Sequence, residues 1–334
     1  MNHRLEVGKL PSHILDRAVI DQLKHNRPEV LFGSTLGGDT AVIDPAEDLV
    51  VLSSDPITGS ASNLGKLAVH ISANDISTQG AEAVGILLTL LLPVGTTEEE
   101  VQAIMAEAQE ESSRLNMEIV GGHTEVTEAV NRIVAVSTVI GKVAPQDRPS
   151  LDRVRPGHLV AVSKHIALEG TAILAHDKAE DLAQVLSPQE LKEAQGLMEK
   201  VSVYKEGQSA QVASLGYMHD ITEGGLLGAL WEASHLLGYG IEVHEDRVPL
   251  LATSKKICDH YGLDPYRLIS SGSMLMVLDE EAFKKAQAYL EGQGIGLSAI
   301  GQIVQDKGAY FIRQEDGARQ EIKDISSDEL YRVI

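Results

Sequence analysis

The sequence predicts a two-domain protein of mixed α/β (α+β) class. Three observations carry that expectation. Short apolar runs alternate with amphipathic stretches along both halves, and a break rich in Pro, Gly and charge falls near the middle. The length, 334 residues, corresponds to two domains at ~150 residues each.

Leu49-Val50-Val51-Leu52 is an apolar run of strand length that stops at Ser53-Ser54-Asp55. Gly85–Leu92 and Ile133–Ile140 are rich in Leu, Ile and Val and predict buried strands. Between them Thr97 and Glu100 have capping-box spacing, and Val101, Ile104, Met105, Ala108 and Leu115 recur at helical intervals. Glu98, Glu99 and Glu100 suit the positive end of that helix. Gln146–Gly157, with Pro149 and Pro156, is the expected boundary between an N-terminal domain over 1–148 and a C-terminal domain over 149–334. Beyond it, His158–Ser163 predicts a strand, Ser187-Pro188-Gln189-Glu190 a helix start, and Leu226–Leu237 a helix entered through Gly224-Gly225. Met274–Leu278 predicts a strand and Glu280–Leu290 a helix.

Hydrophobic residues make up 43 % of the chain but aromatics only 4 %, so the core must be mostly Leu, Val, Ile and Ala. The formal net charge of -21 disfavours nucleic acid as a partner, and no Lys/Arg-rich run offsets it. A single cysteine, Cys258, excludes disulfide scaffolds, Cys-based zinc sites and CxxC motifs within one chain, and predicts a buried, inert thiol. The start Met1-Asn2-His3-Arg4 lacks the apolar region of a signal peptide. The longest apolar stretch, Val84–Val94, is interrupted by Gly85, Thr89 and Pro93 and is too short to span a bilayer. The expected location is the cytoplasm, with no membrane partner.

Four segments place carboxylates, an amide or paired glycines where apolar runs stop: Gly37-Gly38-Asp39-Thr40, Ser53-Ser54-Asp55-Pro56, Ala73-Asn74-Asp75-Ile76 and Gly121-Gly122-His123-Thr124-Glu125. Together they suit a magnesium nucleotide, because magnesium takes carboxylate, phosphate and water oxygens and paired glycines let backbone amides approach phosphate. Asp39 and Asp55 are the strongest metal candidates; either one alone reads sooner as a turn former. Asn74-Asp75 lies in a helical pattern that disfavours it by propensity, which calls for a metal or phosphate network, or an internal cap, to hold it. Gly121-Gly122 follows the apolar Met117–Val120 and reads as either a phosphate cradle or a hairpin turn. His219-Asp220-Ile221-Thr222-Glu223 precedes a Gly-Gly helix entry, where Asp or Thr can cap the helix or an anion can bind. Gly59–Lys66 fails as a Walker A loop because its glycines are one residue too far apart and Leu67 stands where Ser or Thr is needed.

In order, GGDTAVI, SSDPITG, LGKLAVHISANDISTQGAEAV, VGGHTEVT and HDITEGGLLGALWEAS resemble the AIR synthase superfamily, which includes AIR synthase, FGAM synthetase, thiamine-monophosphate kinase, selenophosphate synthetase and HypE. The likeness runs from Gly8-Lys9-Leu10 to Asp264-Pro265, and Ile241-Glu242-Val243 through Ser271-Gly272 is most similar to the HypE branch. The resemblance implies an AIR synthase-like fold whose N-terminal domains pair into a β-barrel across a homodimer. It implies ATP between the domains and magnesium on acidic residues. The matching positions are Asp39, Asp55, Asn74 and Asp75 for the metal. Lys9, Gly37, Gly38, Gly121, Gly122, His123, Thr124 and Asp220 match for the nucleotide, with Asp220 and His123 as catalytic candidates. The implied chemistry is ATP-dependent activation of an amide or carbonyl oxygen, or phosphoryl transfer, on a small substrate. The rival is a non-catalytic nucleotide-binding maturation or regulatory partner protein.

Two departures qualify the resemblance. HypE proteins end in a cysteine-bearing tail, whereas this sequence ends Glu329-Leu330-Tyr331-Arg332-Val333-Ile334, so the HypE reaction is not expected of this chain alone. His123 stands where the kinase and HypE branches often carry Asp; it also occurs in selenophosphate synthetases, whose N-terminal Cys/Sec loop is absent here. The apolar density of Val84–Leu92 and Ile133–Ile140 predicts strands covered on both faces. The helix Glu98–Leu115 takes one face; a second copy of the chain, or the segment Leu67–Gln79, takes the other.

Overall fold

The computed structural model describes residues 8–9, 14, 17–32, 42–57, 63–313, 316–323 and 327–334. Packing divides the chain into two compact units, Met1–Ile76 with Ala81–Gln146, and Ser77–Gly80 with Asp147–Ile334.

The first unit holds strands β1 (Gly8–Lys9), β2 (Val30–Phe32), β3 (Val42–Ile43), β4 (Leu49–Ile57), β5 (Glu82–Leu92), β6 (Glu118–Val126) and β7 (Val134–Val143). Helices α1 (Leu64–Ser77) and α2 (Glu98–Arg114) join them. The main sheet has the order β1-β6-β5-β7-β4, and β2 pairs with β3 in a separate ribbon. β5 and β6 run parallel, as a crossover through a helix requires, and the other pairs are antiparallel. The Thr97–Glu100 capping box starts α2 as the spacing predicts.

β4 does not stop at Pro56. It continues to Ile57, pairing residue by residue with β7. Proline is tolerated because β4 is an edge strand, where a missing N–H breaks no ladder bond. Asp55 therefore sits within a strand rather than in a turn.

Along β7, Ala135, Ser137, Val139 and Gly141 are buried while the residues between them are half-buried. The buried row meets α1: Ser72 reaches Ser137, and Ile76 lies over Gly141. α2 packs on α1, and a Cβ at Gly65 would lie 2.4 Å from the Ile104 carbonyl oxygen, so only glycine permits the approach. A buried ion cluster clamps the pair, with His70 Nε2 2.9 Å from Glu111 Oε2 and Lys66 Nζ 3.8 Å from Glu111 Oε1. The hydrogen bond from His70 lowers the Glu111 carboxyl despite burial. Both helices thus stack on one side, and α1 does not cover the other. That face keeps Val50 and Leu52 at 51 % and 63 % exposure.

The second unit is a seven-stranded sheet of order β14-β13-β10-β12-β8-β11-β9. Its strands are β8 (Leu159–Ser163), β9 (Tyr217–Asp220), β10 (Gly240–His244), β11 (Met274–Leu278), β12 (Leu297–Val304), β13 (Gly308–Ile312) and β14 (Arg319–Ile322). Its main helices are α3 (Leu168–Asp177), α4 (Pro188–Gln195), α5 (Gly225–Leu237), α6 (Ala252–Tyr261) and α7 (Glu280–Glu291). Side-chain alternation splits the central strands between two cores. Val160, Val162, Leu275 and Val277 join Leu226 and Leu230 of α5. Ala161, Met274, Met276 and Leu278 join Ala282, Ala286 and Leu290 of α7. This explains why Met274–Leu278 is apolar at every position: both faces are covered.

A third cluster gathers Leu174, Ala194, Ile257, Cys258 and Leu330. Cys258 is fully buried, and burial, followed by Asp264, Asp259 and Glu329, pushes its thiol up to about 12. The folded protein at pH 8 is expected to resist iodoacetamide at Cys258 and to be alkylated within minutes in denaturant; equal labelling in both states, read by mass spectrometry, would contradict the inert role.

Candidate functional site

The polar residues singled out in the first unit converge where β4 faces α1. On β4, Ser53, Asp55 and Ile57 alternate onto one face. On α1, Ser72 and Asp75 are three residues apart and share a helix face. The Ser53 hydroxyl donates to Asp75 Oδ2 and lies 3.3 Å from Asp55 Oδ2. Ser72 Oγ is 3.2 Å from Asp55 Oδ2 and 2.8 Å from Ser137 Oγ. Two half-buried carboxylates from different elements are thereby tied through serine hydroxyls.

Asn74-Asp75 does lie in helix, in the last turn of α1, where its poor propensity matters least. The bond from Ser53 is part of what holds Asp75 there. Asn74 is fully buried. Gly37, Gly38 and Asp39 lie outside the described residues. Lys9 pairs with Glu125 at the far edge of the sheet, and its side chain is outside the description.

Gly121-Gly122 is neither a loop nor a hairpin turn. It sits inside β6, which runs from Glu118 to Val126 beside β5 with a bulge near Val120. Gly122 has φ +154°, and a Cβ there would lie 1.9 Å from the Leu88 carbonyl oxygen. The glycine is required by strand packing, whatever else it does.

Register relates these residues. Gly122 pairs with Leu88, Leu88 with Ser137, and Ser137 with Asp55. Gly122 and Asp55 therefore share one row across the sheet, separated by three strand spacings, about 14 Å. His123 belongs to the next row, with Thr89, Val136 and Pro56. Its side chain projects from the face opposite Asp55, and its Nε2 is 3.2 Å from Glu125 Oε2. Thr124 is buried at 6 % exposure. Within one chain the sheet joins Asp55 with Asp75 and keeps His123 apart from both.

In the second unit, Asp220 ends β9 opposite Met274 and is 4 % exposed. Neither Asp220 nor Thr222 caps α5. The N-cap is Gly224 at φ +81°, and its amide donates to Asp328 Oδ2 at 2.7 Å. That carboxylate lies 104 residues away in sequence, which is why no local pattern revealed it. The hydroxyls of Ser72 and Ser137 also went unread, since serine in a helix or strand carries no distinguishing spacing.

Among the described residues no three His, Cys, Asp or Glu side chains are arranged to hold a metal ion. Paired carboxylates, with further oxygens from phosphate and water, are the usual magnesium set, and Asp55 with Asp75 fits it.

These two units, an open sheet backed by a helix pair and a larger sheet covered on both faces, define a two-unit α/β class with its acidic centre on the first sheet's edge strand. The AIR synthase related protein N-terminal domain matches residues 37–143 and the AIR synthase related protein C-terminal domain matches 155–313. The chain belongs to the AIR synthase-related family and is HypE-like. A putative hydrogenase expression/formation protein of Methanocaldococcus jannaschii is 27 % identical over 322 residues, 93 % of each chain. Carbamoyl dehydratase HypE of Rhodobacter capsulatus is 26 % identical over 284 residues, 83 % of this chain and 81 % of the relative. The solved structure of a hydrogenase maturation protein HypE in complex with ATP superposes with a TM-score of 0.79 at 21 % identity, covering 96 % of each chain.

Replacing Gly122 by Ala is expected to lower unfolding free energy by about 2–4 kcal/mol, through both the backbone clash and the φ value. Urea denaturation of the variant checks this; a midpoint equal to that of the wild type would show that β6 can shift to admit a Cβ.

Proposed function

We propose that the protein binds ATP with magnesium and uses it to activate an amide or carbonyl oxygen, or to transfer a phosphoryl group, on a small substrate. The single observation that carries the reading is the Asp55–Ser53–Asp75 arrangement, braced by Ser72 and Ser137. The carboxylates are held in place by hydroxyl donors, so little reorganisation is needed to accept a cation. The HypE structure solved with ATP supports the nucleotide, and the carbamoyl dehydratase relative supports an amide-type substrate.

In this reading Asp55 and Asp75 hold the metal, with Asp39 and Asn74 completing the set. Bound magnesium would neutralise phosphate charge and polarise phosphoryl oxygens. Gly121, Gly122 and Thr124 serve the nucleotide along with Lys9, Gly37 and Gly38, and Asp220 and His123 are the candidates for proton handling. A nucleotide-binding partner protein without turnover is the second reading, favoured by the relatives' names in hydrogenase formation and maturation. ATP consumption stimulated by an amide substrate distinguishes the two.

Asp55→Asn removes a full negative charge from the metal set. Its affinity for ATP with magnesium is expected to fall at least tenfold, about 1.4 kcal/mol, in calorimetric titration. Chelating the metal is expected to weaken the wild type by a similar factor. Equal affinities in wild type and variant would remove Asp55 from the metal role.

The open face of the first sheet supports a homodimer as part of the proposal. Val50 and Leu52 are exposed, and Leu87, Leu91, Val134, Val136 and Ile140 are half-buried on the same side. A second copy of this sheet across a two-fold axis would cover them and would bring His123 into the interface. Leu52→Lys is expected to shift the light-scattering mass from dimer to monomer at micromolar concentration; a wild type that is already monomeric while binding ATP would overturn the interface.

A further inference from the structure

The last described segment, 327–334, is fastened to the second unit by its own carboxylates. Asp328 is 3 % exposed; its Oδ2 accepts the Gly224 amide at 2.7 Å and its Oδ1 the Leu330 amide at 2.8 Å. The Tyr331 hydroxyl donates to Glu223 Oε1 at 2.6 Å. Leu330 is buried in the cluster around Leu174, Ile257 and Leu268. The segment thus seals the amino end of α5, immediately after the His219-to-Gly225 motif.

Glu169, in the first turn of α3 and 6 % exposed, lies beside this segment, since the Gly170 amide donates to the Ile269 carbonyl and the Glu329 amide to the Arg267 carbonyl of the same loop. One of its oxygens, Oε2, has no hydrogen-bond partner. Around it are Ser271 from the loop before β11, Glu223 from the turn before α5, and Asp328 and Tyr331 from the segment itself. The basic groups next to the segment, Arg267 and Arg332, are engaged by Glu329. Three carboxyl groups therefore act on one another across the seam, and they are not arranged to share a metal ion. Ionised together, the buried Glu169 and Asp328 would repel in a poorly solvated space, with the exposed Glu223 adding to the repulsion from the rim; a proton on one relieves it. Glu169 is the one that keeps it. Burial is the largest cause raising its carboxyl, Ser271 opposes, Asp328 and Glu223 add to the rise, and the result is about 7. A neutral acid also tolerates an unpartnered oxygen far better than an anion does.

We propose that Ser327–Ile334 is a proton-controlled latch, closed on the amino end of α5 while Glu169 is neutral and loosened when Glu169 ionises against Asp328 and Glu223. This goes beyond the nucleotide reading and does not depend on it. The sign follows from linkage. The closed state holds the proton more tightly than the open state, so closure is strongest near pH 4.5, weakens as pH rises, and levels off above pH 7. The full span, from the ordinary value of 4.5 to about 7, bounds the effect at roughly 300-fold in the closing equilibrium.

Glu169→Gln imitates the neutral acid and should hold the latch closed at every pH. Amide hydrogen exchange in the full chain reads it at Gly224 and Leu330, whose N–H groups Asp328 accepts. Dividing wild-type by Glu169→Gln rates at each pH removes intrinsic base catalysis. The ratio is expected to be at most about fourfold at pH 5 and between tenfold and roughly 300-fold at pH 8. A ratio constant within about twofold over that range would overturn the latch. Should Glu169→Gln not fold, Asp328→Asn, which removes one repelling charge and leaves the burial in place, is expected to lessen the pH dependence of exchange at Tyr331 and Arg332 without abolishing it; a dependence as steep as that of the wild type would equally overturn it.

Discussion

The seam where α1 meets the first sheet governs the rest of that unit. Ser72 reaches both Asp55 and Ser137, so one hydroxyl links a helix, a central strand and an edge strand. Burial of such polar atoms is tolerable only when each finds a partner, and the partners here come from three elements. The consequence is a pair of carboxylates fixed in direction before any ligand arrives. The hydrophobic contacts around them, Ile76 over Gly141 and α2 over Gly65, set the distance at which those hydroxyls can meet.

The same unit shows how a sheet divides labour between its faces. Asp55 and Ser137 point to the helix pair, while His123, Thr89 and Val136 point away from it. Carboxylate and hydroxyl groups on one face and an open, partly apolar row on the other follow from a period of two along each strand. A helix pair stacked on one side leaves the opposite side partly apolar and open, which is the constraint that an assembly must answer. Gly122 illustrates the cost of reading glycine by type alone. Its residue type suits a phosphate cradle, yet its geometry is already required by the Leu88 carbonyl.

In the second unit the equivalent constraint is electrostatic. The amino end of α5 offers amides without a local acceptor, and the chain satisfies them with Asp328, brought from far along the sequence. Bringing that carboxylate in adds its charge to that of Glu223 around Glu169, whose burial is the largest cause raising its carboxyl to about 7. Capping and titration are thus two outcomes of one contact.

The sequence by itself determined the elements and their alternation. Thr97 with Glu100 and Ser187 with Glu190 mark helix starts that the structure reproduces as capping boxes. The uniformly apolar Met274–Leu278 marks a strand, which the structure buries on both faces. These signals are local, because caps and side-chain alternation act over a few residues. The ordered motifs also carried the family likeness. What only the tertiary structure decided is which polar residues meet. β4 runs through Pro56 because it lies at a sheet edge, and edge position is a property of strand order. Asp55 joins Asp75 while His123 faces away because register assigns each residue a face. Asp328 caps α5 from 104 residues off because folding, not sequence proximity, supplies the nearest acceptor.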